Sequence, residues 1–393
     1  MGSVNVYFRL KGHAVIHFLI VSTGILLGVY ALLIFYYHRI WDRIPVPADS
    51  PANIFVPTVR VSVIIPARNE SLHIGNCLHS LLNQTYPGAL TEIIIVNDFS
   101  TDDTAARVLE FGDKCTLLNL ADYISDPVNS YKKKAIETGI AHSSGELIIC
   151  TDADCSMGAD WILTLVQAYQ KENLLFIAAP VKIIPDGSAI SIFQTLDFIS
   201  LQGITGAAVY KNLYPMCNGA NLAYARKAYE TVGGFSDIDH IASGDDMLLM
   251  KKIQAEFPGK SGYIRDPRAI VSTGSAENIR SFFNQRIRWA SKISHYKHPA
   301  TFITLALVFL VNASLLLLFI SCFFYGHWRW LLIFIAFKTI SEYFFVSKVA
   351  AFFQQQSLMK YFPLCQPFHI CYTVIAGSFG SFGRYEWKNR KVK

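Results

Sequence analysis

The chain has 393 residues, 52% of them hydrophobic and only 16% charged, and a net charge of +6. That balance excludes an ordinary water-soluble protein, because the apolar residues pile up near both ends. No basic stripe interleaved with aromatics points to nucleic acid; the Lys/Arg excess sits mostly beside hydrophobic segments, as cytoplasmic flanks next to anionic lipid do.

Residues 14–37 form an apolar run long enough to span a bilayer, too long for a signal-peptide core and without a small-residue cleavage site. Residues 1–44 are therefore expected to be a retained signal anchor. Arg39 and Arg43 mark its cytoplasmic side, and the Pro-containing stretch Pro45 to Pro57 is a linker. Residues 58–298 then have the composition of a globular α/β domain. The eight cysteines include no C-x-x-C pair and fall largely in apolar runs, which predicts buried, reduced thiols. Asn83-Gln-Thr85 matches a glycosylation sequon, but on a cytosolic helix end it carries no weight.

Val61-Ser-Val-Ile-Ile65 reads as a first strand, with Pro66-Ala-Arg-Asn-Glu70 as the loop at its carboxyl end. Ile74, Cys77, Leu78, Leu81 and Leu82 follow at helical spacing. Glu92 to Val96 is a second strand ending in Asn97-Asp98-Phe99-Ser100, and Thr101-Asp-Asp-Thr104 starts a helix. Asp98 thus stands at a strand's carboxyl end, where a carboxylate can accept from a nucleobase N–H or a ribose hydroxyl. Capping the next helix is its plainer use. A short strand near Cys115 to Leu120 leads to Lys132-Lys-Lys-Ala135 and another helix. Three adjacent lysines are usually a solvated face, but here at least one is expected to reach a phosphate.

That helix delivers the chain to Leu147-Ile-Ile-Cys-Thr-Asp-Ala-Asp154, an apolar strand that stops at two carboxylates. The strand period of two puts Asp152 and Asp154 on one face, where they can share a hard divalent cation, Mg2+ or Mn2+. Such an ion completes its shell with water and substrate phosphates, so a nucleotide diphosphate is the expected ligand. The competing use is to cap the following helix. A calcium loop from Asp152 fails, because its sixth position is Met157 and its twelfth Leu163. No G-x-G-x-x-G follows the first strand and no P-loop motif occurs, which removes a dinucleotide dehydrogenase and a P-loop enzyme.

Pro66 to Glu70, Val96-Asn-Asp-Phe-Ser100 with Asp102, and Thr151-Asp-Ala-Asp154 together resemble the blocks of the family 2 glycosyltransferases. Asn218-Gly-Ala-Asn221, Gly233-Gly-Phe235, Gly244-Asp-Asp-Met247 and Gln285-Arg-Ile-Arg-Trp289 continue the resemblance over about residues 60–295. The last of these, Q-x-x-R-W, resembles the membrane-embedded branch that holds cellulose, hyaluronan and poly-N-acetylglucosamine synthases and ceramide glucosyltransferase. Two positions depart from the family pattern: Asn97-Asp98 replaces a usual aspartate pair, and Asp245-Asp246 replaces Glu-Asp.

The resemblance implies an α/β catalytic domain of the GT-A fold, a Rossmann-like mixed sheet with helices on both faces, flanked by transmembrane helices. It implies that Pro66, Ala67, Arg68, Glu70, Asp98, Lys132, Lys134 and Asp152 line the nucleotide-sugar pocket, with Asp98 at the uracil or an equivalent base. Asp154 with Asp152 would carry the metal, and Asp246, with Asp245 beside it, would be the catalytic base. Like-charge repulsion from Asp245 is expected to raise the proton affinity of Asp246, while the plainer use of Gly244-Asp-Asp is to cap the Met247 to Phe257 helix. Asn218, Gly219, Gln285, Arg288 and Trp289 would face the acceptor and the diphosphate. A helix over Asn278 to Lys292 places the last three on one face, although a lone Arg-Trp beside a membrane is more often an interfacial anchor.

Residues 299–393 are the membrane region. Phe302 to Tyr325 and Leu331 to about Phe353 are expected spans, joined by the tight turn Gly326 to Trp330. Residues 364–382 are expected to lie in the interface or re-enter without crossing, because a third span would put the basic tail Arg384 to Lys393 outside. Lys338 and Glu342, four apart in the second span, are a neutralising pair or a site for a lipid phosphate.

The leading expectation is an inverting transferase of the cell membrane, with its catalytic domain in the cytoplasm, moving a sugar from a nucleotide-sugar donor, UDP first, to a lipid or glycan acceptor. A processive polysaccharide synthase is the near alternative, with few spans after the domain for a secretion channel. A nucleotidyltransferase of similar fold and a non-catalytic membrane nucleotide-sugar sensor are the rivals of other classes.

Overall fold

The computed structural model describes residues 2–46, 55–126, 128–241, 244–291, 298–380, 385–387 and 390–392. The chain divides into two compact units: residues 40–276 with 384–393, and residues 1–39 with 277–383.

Helix α1 (Gly2–Trp41) belongs to the second, helical unit up to Arg39. The sheet unit begins with β1 (Val61–Ala67), which runs two residues beyond the Val61 to Ile65 run. It continues through α2 (Ile74–Leu82), β2 (Thr91–Asn97), α3 (Thr104–Leu109), β3 (Thr116–Asn119), α4 (Tyr131–Ala141), β4 (Leu147–Cys150), β5 (Ser156–Met157), α5 (Trp161–Lys171), β6 (Phe176–Ala178) and β7 (Val181–Ile184). Then come α6 (Ala189–Tyr210), β8 (Leu222–Ala225), α7 (Arg226–Thr231), α8 (Met247–Glu256), β9 (Ser261–Tyr263) and β10 (Val271–Gly274).

Seven strands form one sheet in the order β3-β2-β1-β4-β8-β6-β9. The runs of Ile and Val in β1, β2 and β4 are buried almost throughout, as expected of strands covered on both faces. These strands and β3 are parallel, whereas β8 runs antiparallel to both β4 and β6. Because of this reversal the amino end of β8 lies beside the carboxyl end of β4, with Leu222 paired to Cys150. A second sheet, β5-β10-β7, starts at Ser156, two residues after Asp154. Among the described residues no cysteine is in a disulfide; Cys77, Cys150, Cys155 and Cys322 are buried as expected, whereas Cys115, Cys217 and Cys365 are half-buried and Cys371 is exposed. Burial pushes the Cys150 thiol up to about 12.

The end of α1 is fastened within the sheet unit. Trp41 is fully buried, the Arg265 guanidinium lies 4.8 Å from its ring, and Arg265 donates to the Trp41 carbonyl at 2.7 Å. A cation at the last carbonyls of a helix complements their partial negative charge.

The helical unit contains α9 (Ile279–Ser291), α10 (Pro299–Tyr325), α11 (Trp328–Phe352) and α12 (Phe362–Gly380). Among the described residues, three helices are long and apolar enough to cross a membrane: Ala14–Trp41, Pro299–Tyr325 and Trp328–Phe352. Gly326 ends α10 at φ +71°, a left-handed turn that only glycine adopts freely, so α11 starts two residues later. Ile16 and Ile20 pack with Leu318, Cys322 and Leu331.

Lys338 is buried and 2.7 Å from Glu342, and it also donates to Gln366 at 2.8 Å. Glu342 further accepts from Tyr30 at 2.6 Å and from Gln366 at 2.7 Å. The lysine's partners are thus supplied from within the bundle, which favours the neutralising pair over a lipid-phosphate site. Residues 364–382 fall largely on α12, which contains Pro367, so the segment is one helix up to Gly380.

Candidate active site

The site sits in the sheet unit, at the carboxyl ends of β1, β2 and β4, where open α/β sheets bind their ligands. The loops after β1 and β2 brace each other. Arg68 donates from Nη1 to the carbonyls of Asp98 and Phe99 at 2.8 and 2.9 Å, and Thr101 donates its amide to Asn69 at 2.8 Å. The Glu70 amide donates to the Thr104 hydroxyl at 2.7 Å. Asn69 and Phe99 both have φ near +51°, a conformation bulky residues rarely hold unless their surroundings fix it. Asp98 is only 1% exposed, and its amide donates to the Ala67 carbonyl. Pro66 and Ala67 are part of β1 itself.

The acidic pair departs from its expected geometry. Strand β4 ends at Cys150, and Asp152 to Asp154 form a turn in which the Cys155 amide donates to the Asp152 carbonyl. Strand alternation therefore does not set the two side chains, and each has its own partner. Asp152 accepts from Lys132 at 2.8 Å, while Asp154 accepts from the Thr273 hydroxyl at 3.2 Å. Thr273 is on β10, whose Ser272 pairs with Ser156 of β5, so the second sheet brings it to the turn.

Lys132 is the hub. Its Nζ lies 2.8 Å from Asp152 and 3.4 Å from Asp245. Burial works against its charge, but Asp152, Asp245 and Asp246 together raise its pKa. The charge of Asp245, expected to act on Asp246, is thereby shared with a cation. Lys134, about 200° further round the helix, pairs instead with Glu137 at 3.2 Å.

Gly219 borders this cluster. A Cβ there would meet Asp245 Oδ2 and Lys132 Nζ at 3.1 Å, with Asp246 Cβ at 3.9 Å. Asn218 fixes the turn by accepting from the Ala220 amide at 3.0 Å, and Thr151 donates to the Ala220 carbonyl at 2.9 Å. Asn221, fully buried, accepts from Trp161 and donates to the carbonyls of Pro180 and Ala269. Asp246 is the N-cap of α8 and accepts from the Met247 amide at 2.7 Å, so the capping use is real. The preceding Gly244 has φ +85°, and a Cβ on it would lie 2.9 Å from Leu248.

The structure thus brings Lys132, Asp152, Asp245, Asp246, Asn218 and Gly219 together, with Asp154 two residues beyond Asp152. Gln285, Arg288 and Trp289 lie on α9 in the helical unit. There the Arg286 guanidinium sits 4.3 Å from the Trp289 ring and covers part of the plane expected to face an acceptor sugar. Sequence reasoning missed Thr273 and Lys133; no local signal marks Thr273, whereas Lys133 stands directly between Lys132 and Lys134.

Among the described residues, no group of three or more His, Cys, Asp or Glu is arranged to hold a metal. A hard ion that keeps water and diphosphate in its shell needs only one or two carboxylates. Asp154 fits: it is exposed, and among the described residues it takes only neutral donors, Thr273 and the Cys155 thiol.

Residues 62–233 match the family model described as Glycosyl transferase family 2. A probable glycosyltransferase, YdaM of Bacillus subtilis (strain 168), is 30% identical over 238 residues, which are 59% of this chain and 54% of that protein. A poly-beta-1,6-N-acetyl-D-glucosamine synthase of Staphylococcus epidermidis is 28% identical over 232 residues, 58% of this chain and 53% of that one. The matches thus span about half the length of these relatives. Among solved structures, the mannosyltransferase PcManGT of Pyrobaculum calidifontis, in complex with GDP-Man and Mn2+, superposes with a TM-score of 0.57 at 18% identity, covering 92% of this chain and 99% of that one. The chain carries a family 2 glycosyltransferase domain, and that domain has the GT-A fold.

Proposed function

We propose that the protein is an inverting, membrane-bound glycosyltransferase that moves a sugar from a nucleoside diphosphate donor, UDP-linked in the first instance, to a hydroxyl on a lipid or growing glycan. The observation that carries this reading is the convergence of Asp152, Asp245 and Asp246 on Lys132 beside Gly219. On this reading the cation offsets the charge of a leaving diphosphate, with the carboxylates packed beside it against the bare backbone of Gly219.

In this mechanism the acceptor hydroxyl attacks the anomeric carbon and gives its proton to the Asp246 carboxylate, while the bond to the diphosphate oxygen breaks and its electron pair leaves with the nucleotide. Lys132 orients the diphosphate and offsets its growing charge. Asp245 holds Lys132 in place, and the glycine at 219 lets both side chains pack against the backbone there. The braced loops at Arg68 and Asp98 form the base end. Asp154, steadied by Thr273 and joined by Asp152 when Lys132 turns to the phosphate, would hold Mg2+ or Mn2+, which supplies Lewis-acid stabilisation of the leaving group. The bound GDP-Man and Mn2+ of the Pyrobaculum mannosyltransferase agree with this donor class.

The catalytic unit works at the cytoplasmic face. In this reading α12 does not cross, which keeps the basic tail Arg384 to Lys393 on the cytoplasmic side. Polymer extension is the second reading, favoured by the similarity to the Staphylococcus epidermidis synthase.

Incubation of membranes containing the protein with radiolabelled nucleotide sugars and Mn2+ tests the proposal. Label in a lipid or polymer fraction with release of nucleoside diphosphate is the expected result. Pyrophosphate release would indicate a nucleotidyltransferase, and binding without incorporation from any donor would indicate a sensor.

A further inference from the structure

Lys133, the neighbour of Lys132 on α4, is 1% exposed. Its Nζ donates to the carbonyl of Ile238 and, at 2.7 Å, to that of Ile241. These carbonyls belong to the segment between α7 and α8, a few residues before Asp245. Gly233, Gly234 and Asp237 in that segment all have positive φ, and its described residues form a run of turns, with the Ser236 amide donating to Gly233, Ile238 to Phe235 and Ile241 to Ile238. A second lysine, Lys252 on α8, donates to the carbonyls of Gly234 and Ser236 at 2.9 and 2.8 Å. Two ammonium groups thus tie carbonyls of these turns to α4 and α8.

Successive residues of a helix leave it about 100° apart. Lys132 therefore reaches the crevice while Lys133 reaches into the segment, and one rigid helix sets both. A buried ammonium keeps its charge only if its partners stay in place. We propose that Lys133 is a positioning residue for sugar transfer: by clamping the Ile238 and Ile241 carbonyls to α4, it fixes the approach of Asp245 and Asp246 to Lys132. This inference rests on the reading of Asp246 as base.

The test uses the full chain in detergent or nanodiscs and compares Lys133→Met, the milder Lys133→Gln, and Lys252→Met as a control for the same segment. The readouts are kcat, donor KM, the Kd for UDP, and amide exchange over residues 244–250. A misplacement of a reacting group by about 1 Å costs roughly 100-fold in rate. Lys133→Met is accordingly expected to lower kcat about 10- to 100-fold and to speed exchange at 244–250, with KM and the UDP Kd changed by less than about threefold. Lys133→Gln, which can donate to one carbonyl, is expected to fall between the two, and Lys252→Met to lose less rate at an equal drop in Tm. An unchanged kcat would overturn the proposal, as would loss of kcat and UDP binding in parallel with Tm, or failure of both Lys133 variants to fold. Full turnover by Asp246→Asn would sink the base reading instead; the exchange data would still judge the clamp, with unchanged exchange in Lys133→Met refuting it.

Discussion

The Lys132 ammonium meets the Asp152 carboxylate at 2.8 Å, joining α4 to the turn after β4. Its removal in Lys132→Met leaves Asp152, Asp245 and Asp246 without their shared cation. The expected loss is about 1–3 kcal/mol of stability and at least about tenfold in UDP affinity, measured by urea unfolding and calorimetry. Because its pKa is raised, the stabilisation from Lys132 is complete below the ordinary lysine value of about 10.4 and disappears only as pH rises through the higher folded value. It adds no pH dependence between about 6 and 9.

Thr273 reaches Asp154 from the second sheet. Thr273→Val keeps the shape and removes the hydroxyl, so the carboxylate loses its orientation. Mn2+ titrations of activity should show the half-saturating concentration rising about 10-fold or more, as loss of a partner that orients a metal ligand does. No change would mean that Asp154 is not a metal ligand.

Asp102 ties the two nucleotide-side loops together, accepting from the Ser71 amide at 3.0 Å and from Thr104. Burial opposes its charge, yet the hydrogen bonds from Thr104 and Ser71 prevail and hold its carboxyl at about 2. A depressed carboxyl gives stability that is complete above its unfolded value of about 3.9 and is lost as pH falls through about 2. Asp102→Asn should therefore unfold at lower urea than the parent at pH 6, with the gap closing between about pH 4 and pH 2.

Lys338 and Glu342 are a buried pair in the helical unit. Breaking it by Lys338→Met strands a buried carboxylate and should cost about 3–5 kcal/mol. The double variant Lys338→Met/Glu342→Gln should recover much of that loss in detergent melting curves. A double variant no more stable than Lys338→Met would show that the loss does not come from a stranded carboxylate.

The strands of the catalytic unit were legible because a run of Ile and Val that stops at polar residues forms a buried parallel strand and little else; Asp98 and Asp152 were found close to the ends of such strands, and Asp246 at the start of a helix. The finer geometry was not. Asp152 and Asp154 looked like strand neighbours, but β4 stops at Cys150, and the pair is set by Lys132 and Thr273, partners 20 and 119 residues distant. Of the lysines at 132–134, helix phase alone decides that one reaches the crevice, one is buried and one lies at the surface. Sequence shows that phase only once the helix packing is known.

Asp246→Asn provides the most direct measurement. Transfer from the donor and UDP binding are measured on the same purified protein. The account predicts UDP binding within about threefold of the parent and turnover reduced at least about 100-fold, the scale of a lost general base. Turnover near the parental rate would contradict it.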